Sequence, residues 1–253
     1  MAVATVKFRL TISLIAINFN KIININININ INIINNNMKA KIISLSNQKG
    51  GVGKTTLSMQ IAGALSRSNK VLIADIDPQG SAVTWSSSAS DESPFPAHVI
   101  GLNAAKGKVH NEIRKYVDDY DFIIIDCPPS INSTETQSAL LISDLALIPI
   151  LPSPPDIWAS VGIVQIIENA KTVNENLQAR LVLNQKQANR TLATESLAIL
   201  ENFQIPLAKT TLTQREIYRQ CAAFGGTVFD FGKREAAIQE IESLCQEIED
   251  LLR

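Results

Sequence analysis

The stretch Asn47-Gln48-Lys49-Gly50-Gly51-Val52-Gly53-Lys54-Thr55-Thr56 decides how the rest of the chain is read. An apolar, β-branched run, Ile42-Ile43-Ser44-Leu45, precedes it, and Leu57, Ile61, Ala62 and Leu65 follow at the spacing of one helix face. Strand, tight loop and helix in that order are the setting of a phosphate-binding loop. Gly50, Gly51 and Gly53 allow positive φ and let backbone N–H groups approach phosphate oxygens, with the positive end of the helix behind them. In such a loop Lys54 reaches the β- and γ-phosphates, and the Thr55 hydroxyl faces a magnesium ion that bridges them. The strict pattern G-x-x-x-x-G-K-[ST] would place glycine at position 48, where this chain has Gln48.

Working outward, Val71-Leu72-Ile73-Ala74-Asp75 reads as a second buried strand, and Asp75-Ile76-Asp77-Pro78-Gln79-Gly80-Ser81 lies at its end. Strand ends are where open α/β sheets place ligand chemistry. Tyr120-Asp121-Phe122-Ile123-Ile124-Ile125-Asp126 is another apolar strand ending in a carboxylate, placed to hold the metal through water, and Cys127-Pro128-Pro129-Ser130 follows it. Further strands are expected near 98–102, at Asp144-Leu145-Ala146-Leu147-Ile148-Pro149-Ile150 and at Arg180-Leu181-Val182-Leu183-Asn184. Helices are expected over 108–117, over a stretch presenting Ile157, Val161, Val164, Ile167 and Ala170, and over 234–253. The order predicts one α/β domain over 38–253, a mainly parallel, doubly wound sheet with helices on both faces.

Lys49-Gly50-Gly51-Val52-Gly53-Lys54-Thr55 resembles the deviant loop of the ParA/MinD class of P-loop ATPases. Asp75-x-Asp77-Pro78-Gln79-Gly80 and Asp126-x-Pro128-Pro129-Ser130 are similar to two further motifs of the ParA family. The likeness runs from about Lys41 to the C-terminus, is strongest through Ser153, and extends to small ParF-like partition ATPases through the proline-rich run 152–155. By this resemblance ATP and Mg2+ are the cofactors. Lys49 to Thr56, Val52 included, cradle the phosphates; Lys49 crosses a dimer interface to the partner's nucleotide; Asp77 orients the attacking water; Asp75 supports the magnesium shell or the loop; Thr55 and Asp126 hold the metal. Asn184 and a later segment, 205–213, flank the adenine, and the absence of Asn-Lys-x-Asp at 184–187 favours ATP over GTP. Arg190, Arg215 and Arg219 fall near positions that contact DNA in relatives, although Thr213-Gln214-Arg215 matches their pattern loosely. The implied function is partition of a plasmid or chromosome. An ATP-bound homodimer binds DNA non-specifically, in the cytoplasm on the nucleoid, and a centromere-binding adaptor, ParB-like or small and ParG-like, stimulates hydrolysis.

Two rival functions are weighed by composition and pattern. A MinD-like, membrane-cycling regulator of division-site placement needs a basic amphipathic C-terminal helix, whereas 234–253 carries Glu240, Glu242, Glu247, Glu249 and Asp250 beside its apolar face. No run approaches the ~20 apolar residues of a membrane span. An amide-forming ligase sharing the loop would need further catalytic residues, and none is identifiable. Cys127, Cys221 and Cys245 are widely spaced and form no C-x-x-C pair, which argues against a disulfide framework, a zinc site or an iron–sulfur cluster and fits a reducing compartment. With 23 basic and 24 acidic residues, any nucleic-acid affinity must come from a local patch.

Residues 1–37 hold no acidic residue and alternate Ile with Asn from Ile23 to Ile33. An exposed ribbon of this kind is an aggregation hazard, and Ile and Asn codons can both be written with A and T alone. The segment is therefore read as a low-complexity leader, with the working protein starting at Met38. A chain beginning at Met38 is expected to fold and to hydrolyse ATP like the full one; loss of nucleotide binding on that truncation, measured by calorimetry, would show that the leader works.

Overall fold

The computed structural model describes residues 39–130, 133–187, 199–200, 203–232 and 235–253. The leader and Arg190 lie outside the described residues. Six parallel strands form one sheet: β1 (Lys41–Leu45), β2 (Val71–Asp75), β3 (His98–Gly101), β4 (Phe122–Asp126), β5 (Leu145–Ile150) and β6 (Gln178–Leu183). Their order across the sheet is β3-β2-β4-β1-β5-β6, so the first strand lies in the interior between β4 and β5. The parallel α/β class read from the sequence is the class observed.

Alternation along each buried strand divides its side chains between two helical layers. Ile43, Leu45, Ile73, Ile124 and Leu147 face a core shared with Leu57 and Ile61 of α1 (Lys54–Leu65) and with Ile241, Leu244 and Ile248 of α8 (Glu235–Leu251). On the other side, Ile42, Leu72, Ile123 and Ile125 meet Val109 and Ile113 of α3 (Val109–Ile113) and Ala139 of α4 (Thr134–Leu140). Ala146, Ile148 and Leu181 extend that second layer against Ile163 and Ile167 of α6 (Gly162–Lys171). The short α2 (Ser81–Ser87), α5 (Pro154–Trp158) and α7 (Ile217–Phe224) complete the labelled helices.

Two expected helices differ from the observed ones. The helix expected over 108–117 is reduced to Val109–Ile113, preceded by a 3-10 turn over Asn103–Lys108 in which Lys106 has φ 48°. The helix expected to carry Ile157, Val161 and Ala170 on one face is broken into α5 and α6. Between them, Ser160 and Val161 donate to the carbonyls of Ile157 and Trp158, three residues back, so the turn is tighter than an α-helix. Ser160 is fully buried, its hydroxyl bonding the Asp156 carbonyl at 3.0 Å and accepting from Asn47 at 3.1 Å. That inward pull on Ser160 turns Val161 out to 49 % exposure.

Helix α1 has little solvent face: Ser58, Met59, Gln60 and Gly63 are buried as well as the expected apolar stripe. At Gly63 a Cβ would sit 2.3 Å from Thr227 Cγ2. Thr227 cannot readily turn away, because it is 1 % exposed and its hydroxyl donates to Asp230 at 2.8 Å. Gly63→Ala should therefore lower stability by roughly 1–3 kcal/mol despite the ~1 kcal/mol that alanine gains in a helix. Adding Thr227→Ser, which deletes the obstructing methyl, should recover most of the loss in thermal unfolding. A Tm for Gly63→Ala above the parent's would contradict this packing.

Candidate functional site

Strands β1, β2 and β4 end in one row, with Asp126 level with Leu45 on one side and Asp75 on the other. The loop 47–53 leaves β1 at that row and delivers the chain to α1. Gly51 and Gly53 have φ of 76° and 92°, so both glycines are used for their left-handed conformation. The first bond of α1 runs from Leu57 N–H to the Gly53 carbonyl at 2.9 Å, so the N–H groups of Lys54, Thr55 and Thr56 have no intrahelical acceptor and are available to an anion.

The loop is fastened from both flanks. Asn47, buried, donates to the Pro149 carbonyl at 2.8 Å and accepts from Lys49 N–H at 3.0 Å. Gln48 donates to the Ala159 carbonyl. From the end of β6, Asn184 donates to the Val52 carbonyl at 2.8 Å and Gln185 to the Gly51 carbonyl at 2.9 Å. A Cβ at Gly53 would meet Asn184 Nδ2 at 2.3 Å, so this approach requires glycine.

Lys54 is 6 % exposed and donates to the Lys49 carbonyl at 3.1 Å. Burial lowers its pKa, and the charges of Asp126 and Asp77, among others, push the other way. Asp126 is 1 % exposed and accepts from Thr55 Oγ1 at 2.6 Å and Ser58 Oγ at 3.1 Å. Its pKa is raised to about 7, chiefly by burial, against the two hydroxyls and the Lys54 charge and with a further push from Asp75. A hydroxyl and a carboxylate at this separation are hard oxygen donors, and the pair fits Mg2+ that shares its remaining ligands with water and phosphate. Among the described residues no group of three or more His, Cys, Asp or Glu side chains could hold a metal.

Asp75 has a different task. Its carboxylate accepts from the N–H groups of Asp77, Ala82 and Val83 at 3.1, 2.8 and 3.1 Å, which fixes the loop and the start of α2. Asp77 is half-buried, accepts from Gln79 N–H at 2.9 Å, and lies near enough to Lys54 for its charge to favour the ammonium. Cys127 is buried, which pushes its thiol pKa up and leaves no thiolate there for chemistry.

A cavity of about 300 Å³ opens beside the loop, lined by Gly53, Thr56, Asn184, Gln185, Thr213 and Arg215 among others. Lys49 forms an ion pair with Asp156 of α5. Arg215 is held by Glu240 at 2.7 Å, and Arg219, its side chain 75 % exposed, pairs with Glu216 at 3.1 Å. Both arginines line the cavity.

The family described as "CobQ/CobB/MinD/ParA nucleotide binding domain" matches residues 43–228. The chain belongs to this family. It is a P-loop ATPase of the ParA/MinD type. It is similar to maintenance of carboxysome distribution protein A of Halothiobacillus neapolitanus, 34 % identical over 83 % of this chain and 97 % of that protein. It is also similar to sporulation initiation inhibitor protein Soj of Bacillus subtilis, 30 % identical over 56 % of this chain and 70 % of Soj. A Cyanothece McdA–ATP complex shares the fold, with a TM-score of 0.68 at 18 % identity, over 84 % of this chain and 97 % of that one.

Several contributors carry weak sequence signals for this ParA/MinD-type site. Ser58 sits one helical turn after Thr55, and Asn47 begins the quoted stretch, so both were findable by spacing. Asp156, Ser160 and Glu240 are joined to the site only by tertiary structure.

The Asp126 pKa gives a pH dependence with a definite sign. Its folded value of about 7 exceeds the ordinary 3.8, so the folded state holds a proton that the unfolded state releases between those values. The associated stability is complete below about pH 4 and is lost as pH rises through about 7. Ligand-free Asp126→Asn should therefore gain on the parent by on the order of 1 kcal/mol or more between pH 5 and pH 8 in urea titrations. A pH-independent difference between the two proteins would show that this carboxylate is not perturbed.

Proposed function

We propose that this chain is a Mg-ATP-driven positioning ATPase that closes as a homodimer. Its ATP state binds DNA without sequence preference, and an adaptor on the cargo triggers hydrolysis. In this reading Lys54 and the N–H groups of the loop neutralise and orient the phosphates, and Asn184 and the neighbouring cavity receive the nucleoside. Thr55 and Asp126 would hold Mg2+ through their oxygens, and the metal would supply electrostatic stabilisation of the phosphate charge. Asp77 holds the attacking water, since it stands at the end of β2 next to the Asp126 row and is not consumed by the structural bonds that occupy Asp75.

The observation that carries the dimer is Lys49. Its ammonium is not spent on its own loop, where Lys54 already supplies the cation, but pairs with Asp156. In this reading it leaves Asp156 for a partner's phosphates. The helix that a membrane-cycling relative would insert is otherwise engaged here: the apolar face of α8 is buried against α1 and the sheet. Among the described residues no helix is long and apolar enough to cross a membrane.

A replicon segregated on the nucleoid, through a ParB-like or ParG-like adaptor, is the cargo suggested by the motif set. A protein organelle is the second reading, favoured by the Halothiobacillus relative, whose name concerns carboxysome distribution and which is matched along 97 % of its length. Imaging a fluorescent fusion beside a labelled replicon and labelled protein shells separates the two.

The function is tested by pairing variants. Lys54→Ala should abolish tight ATP binding, Lys49→Ala should bind ATP yet fail to dimerise, and Asp77→Ala should accumulate as a long-lived ATP dimer. That dimer should bind unrelated duplexes alike in filter binding. Arg190, Arg215 and Arg219 are the candidate partners of DNA phosphates, and replacing any one of them should reduce the slope of log affinity against log salt by about 0.9 for each phosphate it neutralises. Normal dimerisation and turnover by Lys49→Ala in sedimentation and ATPase assays, or DNA binding unaffected by ATP, would overturn the proposal.

A further inference from the structure

The wall of the cavity beside the phosphate loop is held from outside by the last helix. Thr213 and Arg215 line that cavity. Both are bound by one carboxylate, Glu240 of α8, which accepts from Thr213 N–H at 3.1 Å, Thr213 Oγ1 at 2.7 Å, Arg215 Nη2 at 2.7 Å and Arg215 Nε at 3.3 Å. Two turns along the same helix, Glu247 accepts from Lys209 N–H at 2.9 Å and Thr210 N–H at 3.1 Å. The segment between is stitched on its other side to β6 and its exit: Leu212 donates to the Leu183 carbonyl at 2.8 Å, and Lys186 to the Leu212 carbonyl at 2.9 Å. A short strip of chain is thus held between the sheet and α8, and α8 is itself fixed by Ala237, Ile241, Leu244 and Ile248 in the core.

We propose that Glu240 is a positioning residue for the nucleotide: it sets the wall against which the nucleoside rests and keeps the Arg215 guanidinium out of the nucleoside's space. Glu240 does not line the cavity and so acts through Thr213 and Arg215. Its side chain is 19 % exposed, so its hydrogen bonds to charged and neutral donors are only partly screened. Loss of that carboxylate frees a five-donor cation at the cavity edge and releases the Thr213 N–H and hydroxyl together. The phosphate loop, fastened by Asn47, Asn184 and Gln185, does not depend on Glu240. The effect is therefore confined to ligands that carry a nucleoside. This inference rests on the nucleoside reading of the cavity given above.

Its test compares Mg-ATP with Mg-tripolyphosphate on the full chain by calorimetry, for the parent and for Glu240→Gln, Glu240→Asp and Lys54→Ala. Glu240→Gln is expected to weaken ATP about tenfold and to leave tripolyphosphate within about twofold. KM should rise with kcat little changed, because the phosphates and Asp77 keep their places. Glu240→Asp, which keeps the charge and draws it back by one methylene, should show a smaller loss with the same selectivity, and it serves if the glutamine variant does not fold. Equal losses for both ligands, or undiminished ATP affinity in Glu240→Gln or Glu240→Asp, would overturn the role of Glu240. Failure of the parent to bind ATP, or ATP binding by Lys54→Ala equal to the parent's, would instead overturn the nucleotide reading itself.

Discussion

Two carboxylates end neighbouring strands in the same row of the sheet, and both are almost shut off from water. Like charges buried side by side are costly, and the site is arranged around relieving that cost. Asp75 is neutralised by geometry, its oxygens taken by three backbone N–H groups that also start α2. Asp126 is relieved by two hydroxyls and by a raised pKa, which leaves its charge free to be drawn out by a cation. Because Thr55 and Ser58 both belong to α1, the bonds that satisfy Asp126 also fix the helix behind the phosphate loop to β4. Electrostatic relief and positioning are one interaction here.

The loop itself is made of residues with little to hold them: glycines in left-handed conformations and one buried valine. Its shape is supplied by amide side chains from either flank, Asn47 and Gln48 toward β5 and the turn between α5 and α6, and Asn184 and Gln185 from the end of β6. A loop already in its binding shape spends less of the ligand's interaction energy on ordering. The same fastening explains why α5 and α6 are separate. Ser160 faces inward to meet Asn47, and the helical phase is broken to let it do so.

What could be read from the sequence was what is contiguous in it. The loop, the two Asp-terminated strands and the apolar runs at 144–150 and 180–184 each carry their signal within ten residues, and the last two runs fall on strands observed at Leu145–Ile150 and Gln178–Leu183. Apolar spacing misled where a polar residue outranked it, as with Ser160 over Val161. Charge was harder still. Arg215 looks like a free surface cation from its neighbours, but its partner Glu240 is 25 residues away on another helix. No local pattern marks Glu240, whose four bonds arise only when α8 lies along the 209–215 strip.

The interior position of β1 has a kinetic side. Ten consecutive residues spell the loop, yet its fastenings come from 71, 102 and 132 positions away, at Asp126, Pro149 and Asn184. Contacts of such separation are closed late, because the entropy of the intervening chain must be surrendered before they form. The segment that announces the protein's chemistry is thus among the last to become competent, and a partly folded chain lacks its holding bonds. Nucleotide then acts as a ratchet on folding: it binds only the finished state and draws the population toward it by mass action.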